Sequence, residues 1–343
     1  MKRYYYMDIL TILATIAVVF LHTSEYAFSN QTGDSHWIIA VILQVTFIWA
    51  VPIFFMISGA NLLDYRERYD TVTFFKKRVL RVVAPFLFWS FIWYIMTPVL
   101  LHQPENYHIS YFIDGIMHGK IQPVFWYFYV ILGFYISAPL ISKLTNLSNR
   151  RLILYLLGIN LLFVNLISYY YTLRNQPTTS FQDGIQIGTA GSIGFFVFGW
   201  YLKHYLLTKF QQHILYTAAG ISWLIMIIGT CYLSYHRQEF QRNVYSIWGI
   251  FGLILSLAIF ELFKNKLQQW EPSSKTRHIL SRISGTSLGV YVIHEFFIYW
   301  VDQRWPHANH SLKYMLLLPV CVWLVSTGLV MVMQRIKILK KIV

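Results

Sequence analysis

Charge is scarce in this chain. Only 12% of its 343 residues are Asp, Glu, Lys or Arg, about half the share of an ordinary soluble domain. That excludes a soluble globular protein of this length, and no polar stretch is long enough to bury a core of its own. Cysteine is nearly absent. Cys231 and Cys321 both stand in apolar runs without His or Cys neighbours, which excludes a metal cluster built on them and leaves packing as their expected role. There is no phosphate-cradling Gly loop, no GxSxG elbow and no HExxH pair, and the spacing of His102, His108 and His118 does not suit zinc, so no metal is expected. Internal repeats and low-complexity tracts are also missing.

What is present is apolar sequence in long blocks, 56% of the chain by count. Ten blocks come near the length that crosses a bilayer, at about residues 8–28, 37–60, 82–102, 124–142, 151–171, 186–206, 213–235, 243–263, 283–303 and 313–334. The expected fold is therefore all-α: a single polytopic membrane domain over residues 1–343, with about ten transmembrane helices. Gly188, Gly191, Gly194 and Gly199 in the sixth block point to close helix contact.

The net charge of +14 invites a nucleic-acid reading, but its distribution argues for a membrane topology. Only six of the 28 Lys and Arg (Lys120, Arg174, Arg237, Arg242, Arg304 and Lys313) fall on one side of the proposed spans, and 22 on the other. Basic residues collect on the cytoplasmic side, so both termini are expected in the cytoplasm of a multi-pass plasma-membrane protein, with lipid rather than nucleic acid around it. Trp37, Tyr169 to Tyr171, Trp300 and Trp305 fall at the outer edges, where interfacial aromatics belong. A cleaved signal peptide ending near Ala27-Phe28-Ser29 is the rival reading of the first block. It would discard the polar pair that makes this block unusual.

That pair is His22 and Glu25. A histidine and a carboxylate in an apolar helix are costly, and three residues apart they share a face. His22 is expected about 14 residues into its helix, or roughly 20 Å. Glu25 would hold one ring nitrogen and leave the other as a base. The residues alone leave open a histidine that merely meets water at the interface. Arg78 and Arg81 form a second pair on one face, suited to phosphates or to ordinary anchoring at the membrane edge. In the ninth block His294, followed by Glu295, could line a polar chamber or hydrogen-bond Tyr291 within the helix bundle. Trp126 and Tyr127 could stack on a sugar or anchor the interface.

Several stretches together resemble the acyltransferase 3 family of membrane O-acyltransferases. They are MDILTILATIAVVFLH ending at His22, VPIFFMISGANLL (51–63), FFKKRVLRVVAPFLFWS (74–90), FWYFYVILGFYISAPLI (125–141) and SLGVYVIH (287–294). Their order and nearly full coverage carry the resemblance, closest to the stand-alone polysaccharide O-acetyltransferases. It implies transfer of an acetyl or other short acyl group from cytoplasmic acyl-CoA to a hydroxyl of a cell-surface or lipid-linked glycan. His22 would be catalytic, with Glu25 beside it, and Arg78 and Arg81 would meet acetyl-CoA, a donor substrate rather than a permanently bound cofactor. His294, Tyr291, Trp126 and Tyr127 are the expected substrate wall. The chain stops nine residues after its last block, so no fused soluble domain is expected. One departure stands out: Thr11 occupies the position where the family usually has Arg. A polysaccharide or small-molecule transporter is the competing class, since intramembrane polar residues suit it too.

Overall fold

The structure is a computed structural model and describes residues 3–29, 32–100, 107–174, 193–306 and 308–343. Among these residues every regular element is helical and there is no strand. In chain order the helices are α1 (Tyr5–Thr23), α2 (Ser35–Phe47), α3 (Ala50–Leu62), α4 (Thr71–Arg78), α5 (Ala84–Leu100), α6 (Ile109–Met117), α7 (Trp126–Leu144), α8 (Arg150–Asn160) and α9 (Ser168–Leu173). They continue with α10 (Ile193–His204), α11 (Lys209–Arg237), α12 (Ile250–Leu267), α13 (Ser274–Ser284), α14 (Ser287–Arg304) and α15 (Leu312–Met333).

Seven described segments are long and apolar enough to cross a membrane: Tyr5–Thr23, Ser35–Glu67, Thr71–Leu100, Pro123–Leu144, Leu147–Leu173, Lys209–Arg237 and Leu312–Met333. Two more helices are diluted by charge. α12 carries Glu261, Lys264 and Lys266, and α14 carries Glu295, Asp302 and Arg304. Inside the bundle these charges find partners, as charged groups in apolar surroundings must. Lys264 Nζ lies 3.2 Å from Glu261 and donates to the Tyr205 carbonyl at 2.8 Å. Tyr314 donates to Asp302 at 2.5 Å. α10 is described for only 12 residues, because part of the sixth predicted block, with Gly188 and Gly191, lies outside the described residues, as does His102. Large apolar side chains such as Leu317, Leu324 and Val332 on α15 face outward, the surface that a hydrocarbon solvent accepts.

The helices differ from the predicted blocks where particular residues intervene. The second block is two helices, because Pro52 has no N–H to donate and its ring would collide with the carbonyl four residues back. The break falls at Ile48 and Trp49. The eighth block begins late: residues 243–249 are irregular, held where Asn165 donates to the Trp248 carbonyl at 2.7 Å and Tyr169 to the Val244 carbonyl at 2.9 Å. Non-helical backbone at such a place survives only when buried in protein. The ninth block nearly coincides with α14, with α13 lying just before it, and α1 begins three residues earlier than its block. Trp37 is no interfacial anchor. It is fully buried and donates to the Ala27 carbonyl at 2.8 Å. Cys321 is exposed rather than packed.

α1 is the central helix, touching α2, α3, α12, α13, α14 and α15. Its first turn is fixed by Arg3, which grips Asp8 through two bonds of 2.9 and 2.8 Å, and by Ser284, which donates to the same carboxylate at 2.7 Å. α3 and α10 make the most extensive helix contact. Gly59 and Gly199 allow it, since a methyl at Gly59 would meet the Phe196 carbonyl and one at Gly199 the Met56 carbonyl. One end of this pair is locked by Asp64, which accepts from Trp200, from Lys203 at 2.6 Å and from His204 at 2.9 Å.

Candidate active site

His22 sits 17 residues into α1, about 26 Å along the helix axis. That is farther than predicted, because the helix starts earlier. Its turn is held by Gln44 of α2, whose amide donates to the Leu21 carbonyl at 2.6 Å and to Ser24 at 3.0 Å, while Tyr245 donates to the other end of the same amide at 2.7 Å. One glutamine thus ties the end of α1 to α2 and to the irregular segment before α12.

Two carboxylates meet one nitrogen of His22. Its Nδ1 lies 3.0 Å from Glu25 Oε1 and 3.3 Å from Glu295 Oε1. The Glu25 side chain is 57% exposed and that of Glu295 only 9%. Glu295 Oε1 also lies 3.3 Å from His294 Nε2. His294 is fully buried, and its Nδ1 donates to the Tyr291 carbonyl at 2.7 Å. It therefore stands behind Glu295 instead of lining the space in front of His22, and Tyr291 bonds to it through the backbone. Among the described residues, His22, His294 and Glu295 form the group whose potential ligand atoms all lie within 4.8 Å, and this is the set that could hold a divalent cation.

In front of His22 is a cavity of about 210 Å³, lined by Thr11, Val18, Val51, Phe54, Ile57, Ser58, Val124, Trp126, Tyr127, Ser287, Leu288 and Tyr291. Three of the predicted substrate residues, Trp126, Tyr127 and Tyr291, belong to it. They are packed rings: Tyr127 stacks on Phe55 at 5.4 Å, Trp126 meets Trp248 at 6.0 Å, and the Tyr291 hydroxyl donates to the Val124 carbonyl. From Thr11 to His22 the cavity follows α1 for about 16 Å. Thr11 turns its hydroxyl back to the Met7 carbonyl at 2.7 Å.

A second cavity, about 680 Å³, lies at the other end and is lined by Asn61, Leu62, Arg68, Tyr69, Lys77, Arg78, Arg81 and Tyr135. Ile57 and Ser58 line both cavities. Arg78 and Arg81 both reach the second cavity, although Val79–Val83 between α4 and α5 is π-helical. Such turns are frequent at functional sites. α4 itself is started by Asp70, whose carboxylate accepts from the Thr73 backbone at 3.0 Å and is held below its ordinary pKa by its hydrogen bonds to Thr73. The sequence did not single out Ser58, Arg68, Tyr69 or Lys77 as cavity residues, nor Glu295 as a neighbour of His22. The clustering of Arg68, Lys77, Arg78 and Arg81 around one turn was the available signal.

Regular structure that is wholly helical among the described residues, seven segments fit to cross a membrane, and a histidine–carboxylate centre whose cavity shares Ile57 and Ser58 with a cationic one have a place among known proteins. Residues 4–333 match the family described as an acyltransferase domain, Acyl_transf_3, and the chain belongs to it. It is thus an acyltransferase built into a membrane. No curated protein and no solved structure matches it.

Proposed function

We propose that the protein transfers an acetyl or other short acyl group from cytoplasmic acyl-CoA to a hydroxyl of a cell-surface or lipid-linked glycan. In this reading ten helices cross the plasma membrane, with both termini in the cytoplasm. The observation that carries the proposal is that the cavity at His22 and the cavity at the arginine pair have Ile57 and Ser58 of α3 in both their walls. Arg78 and Arg81 hold the donor's diphosphate. The thin pantetheine arm passes Ser58 and brings the thioester beneath His22. Trp126, Tyr127 and Tyr291 offer ring faces to the acceptor sugar.

The chemistry follows from the tautomer. With Nδ1 hydrogen-bonded to Glu25 and a second carboxylate, Glu295, 3.3 Å away, the proton resides there and Nε2 is the basic nitrogen. Nε2 takes the proton of the acceptor hydroxyl as its oxygen attacks the thioester carbonyl. Collapse of the tetrahedral intermediate breaks the C–S bond, and the imidazolium returns the proton to the departing sulfur. An ester and free CoA result, and His22 is restored. Glu25 and Glu295 stabilise the ring while it is charged.

The test is His22→Ala. Loss of a general base costs about 10²- to 10⁴-fold. The variant should insert and purify as the parent does, yet release little thiol from acetyl-CoA in the presence of surface glycan. Mass analysis of the glycan from cells carrying the variant should show the acetyl groups gone. Near-normal acetylation would remove His22 from the mechanism.

A further inference from the structure

We infer that Arg68, Tyr69 and Lys77 form a receptor for the 3′-phosphate of the donor's nucleotide, separate from the Arg78–Arg81 pair. The inference rests on the acyl-CoA reading above and extends it to which part of CoA the protein inspects.

The second cavity presents four cations, Arg68, Lys77, Arg78 and Arg81, and no carboxylate among the described residues that line it. Three acids are near in sequence, and none lines the cavity: Glu67 is exposed beside Arg68, and Asp64 and Asp70 are occupied. Asp64 is buried against Lys203 and His204, and Asp70 caps α4. Arg66, close in sequence, is committed to structure, donating to Ser142 at 2.9 Å and the Pro139 carbonyl at 3.0 Å. Four like charges gathered without a counter-charge call for a polyanion.

They fall into two tiers. Arg78 lies between the rings of Phe74 and Tyr135, at 5.6 and 5.7 Å, and its Nε is buried without a partner. Arg81 lines the same cavity as Arg78. The other tier is organised by Tyr69. Lys77 Nζ stands 3.9 Å from the centre of its ring and the Arg68 guanidinium carbon 5.5 Å from it. Arg68 is steadied by a bond of 2.5 Å to the Asn61 carbonyl. Tyr69 itself leans on Tyr65, which is fully buried, with ring centres 5.9 Å apart. A ring face attracts cations, so one tyrosine holds two of them together before any ligand arrives. A phosphomonoester carries about −1.5 to −2 charges at neutral pH, which two adjacent cations match. The diphosphate, with one charge on each phosphorus, suits the Arg78–Arg81 tier. CoA has both groups; 3′-dephospho-CoA has only the diphosphate.

The experiment compares acetyl-CoA with 3′-dephospho-acetyl-CoA as donors. It uses the purified full-length protein in vesicles of neutral lipid and reads thiol release. The parent should show a KM about 10- to 100-fold lower for acetyl-CoA, the range expected for charge-assisted bonds. In Arg68→Ala, Lys77→Ala and Tyr69→Leu that ratio should fall towards one, through KM rather than kcat. Tyr69→Phe keeps the ring face and should restore the discrimination. Equal use of the two donors by the parent, or variants that raise both KM values alike, would overturn the assignment. Dependence of the variants' defect on anionic lipid, and not on the 3′-phosphate, would give the cations to lipid headgroups and overturn it too. Failure of the parent to consume either donor would instead overturn the acyl-CoA reading beneath it.

Discussion

Glu25 and Glu295 compete for the same nitrogen of His22, and the structure ranks them differently from distance alone. Glu25 is nearer, 3.0 Å against 3.3 Å, but more than half of its side chain is exposed, whereas Glu295 is nearly enclosed. A unit charge pair at 4 Å gains about 1 kcal/mol in water and about 4 kcal/mol at the effective dielectric of a protein site. An exposed pair retains about 0.2–1 kcal/mol after screening and side-chain entropy. A shielded hydrogen bond to a charged group is worth about 1.5–3 kcal/mol. The ring is charged only while it holds the acceptor's proton, so the stabilisation belongs to the transition state and its loss falls on kcat. Glu25→Gln should therefore reduce kcat by no more than about 5-fold, and Glu295→Gln by about 10- to 100-fold. Both can be read from thiol release at saturating acetyl-CoA with surface glycan as acceptor. Added salt should shrink the Glu25 effect and leave that of Glu295. If Glu25→Gln proves the more damaging, shielding is not what sets the value of these carboxylates and the ranking is wrong.

Ser58→Leu should fill the neck between the cavities and raise the donor KM at least about tenfold, since small misplacements of a reacting group are expensive. Steady-state kinetics in detergent would show it, and an unchanged KM would mean that the donor does not pass Ser58. Asp64→Asn leaves Lys203 and His204 facing a neutral amide inside the bundle. A broken buried pair costs about 3–5 kcal/mol, so thermal unfolding in detergent should begin well below that of the parent. Gly59→Ala forces its methyl against the Phe196 carbonyl. Overpacking of this kind costs about 1–3 kcal/mol, to be seen as a lowered unfolding temperature.

Much of the fold is legible in the residues because lipid imposes a coarse rule. Apolar blocks of sufficient length become helices, and most predicted blocks coincide with one. The departures come from terms that hydropathy does not contain. Pro52 interrupts the second block through one missing donor and one steric clash. The eighth block starts late because Asn165 and Tyr169, distant in sequence, satisfy the backbone of an irregular stretch there. Trp37 has the composition of an interfacial anchor, but its indole finds the Ala27 carbonyl instead. Each is a tertiary partner that no local window can see.

The site divides along the same line. His22 with Glu25 could be read from a spacing of three, because the two stay close in sequence and space even though α1 ends at Thr23 and Glu25 opens the 3₁₀ turn that follows. Glu295 could not, since its approach to His22 depends on how α14 lies against α1. The Arg78–Arg81 pair was visible as a spacing, but its direction was set by the π-helical turn of Val79–Val83. The passage between the two ends comes from α3. Successive helical residues point about 100° apart, so Ser58 can line the neck while Gly59 turns to α10. Gly59 and Gly199 permit the close approach of α3 to α10, while Ser58 stands in the walls of both cavities, so neighbouring positions of one helix carry packing and site and a shift of α3 at Gly59 would be felt at Ser58.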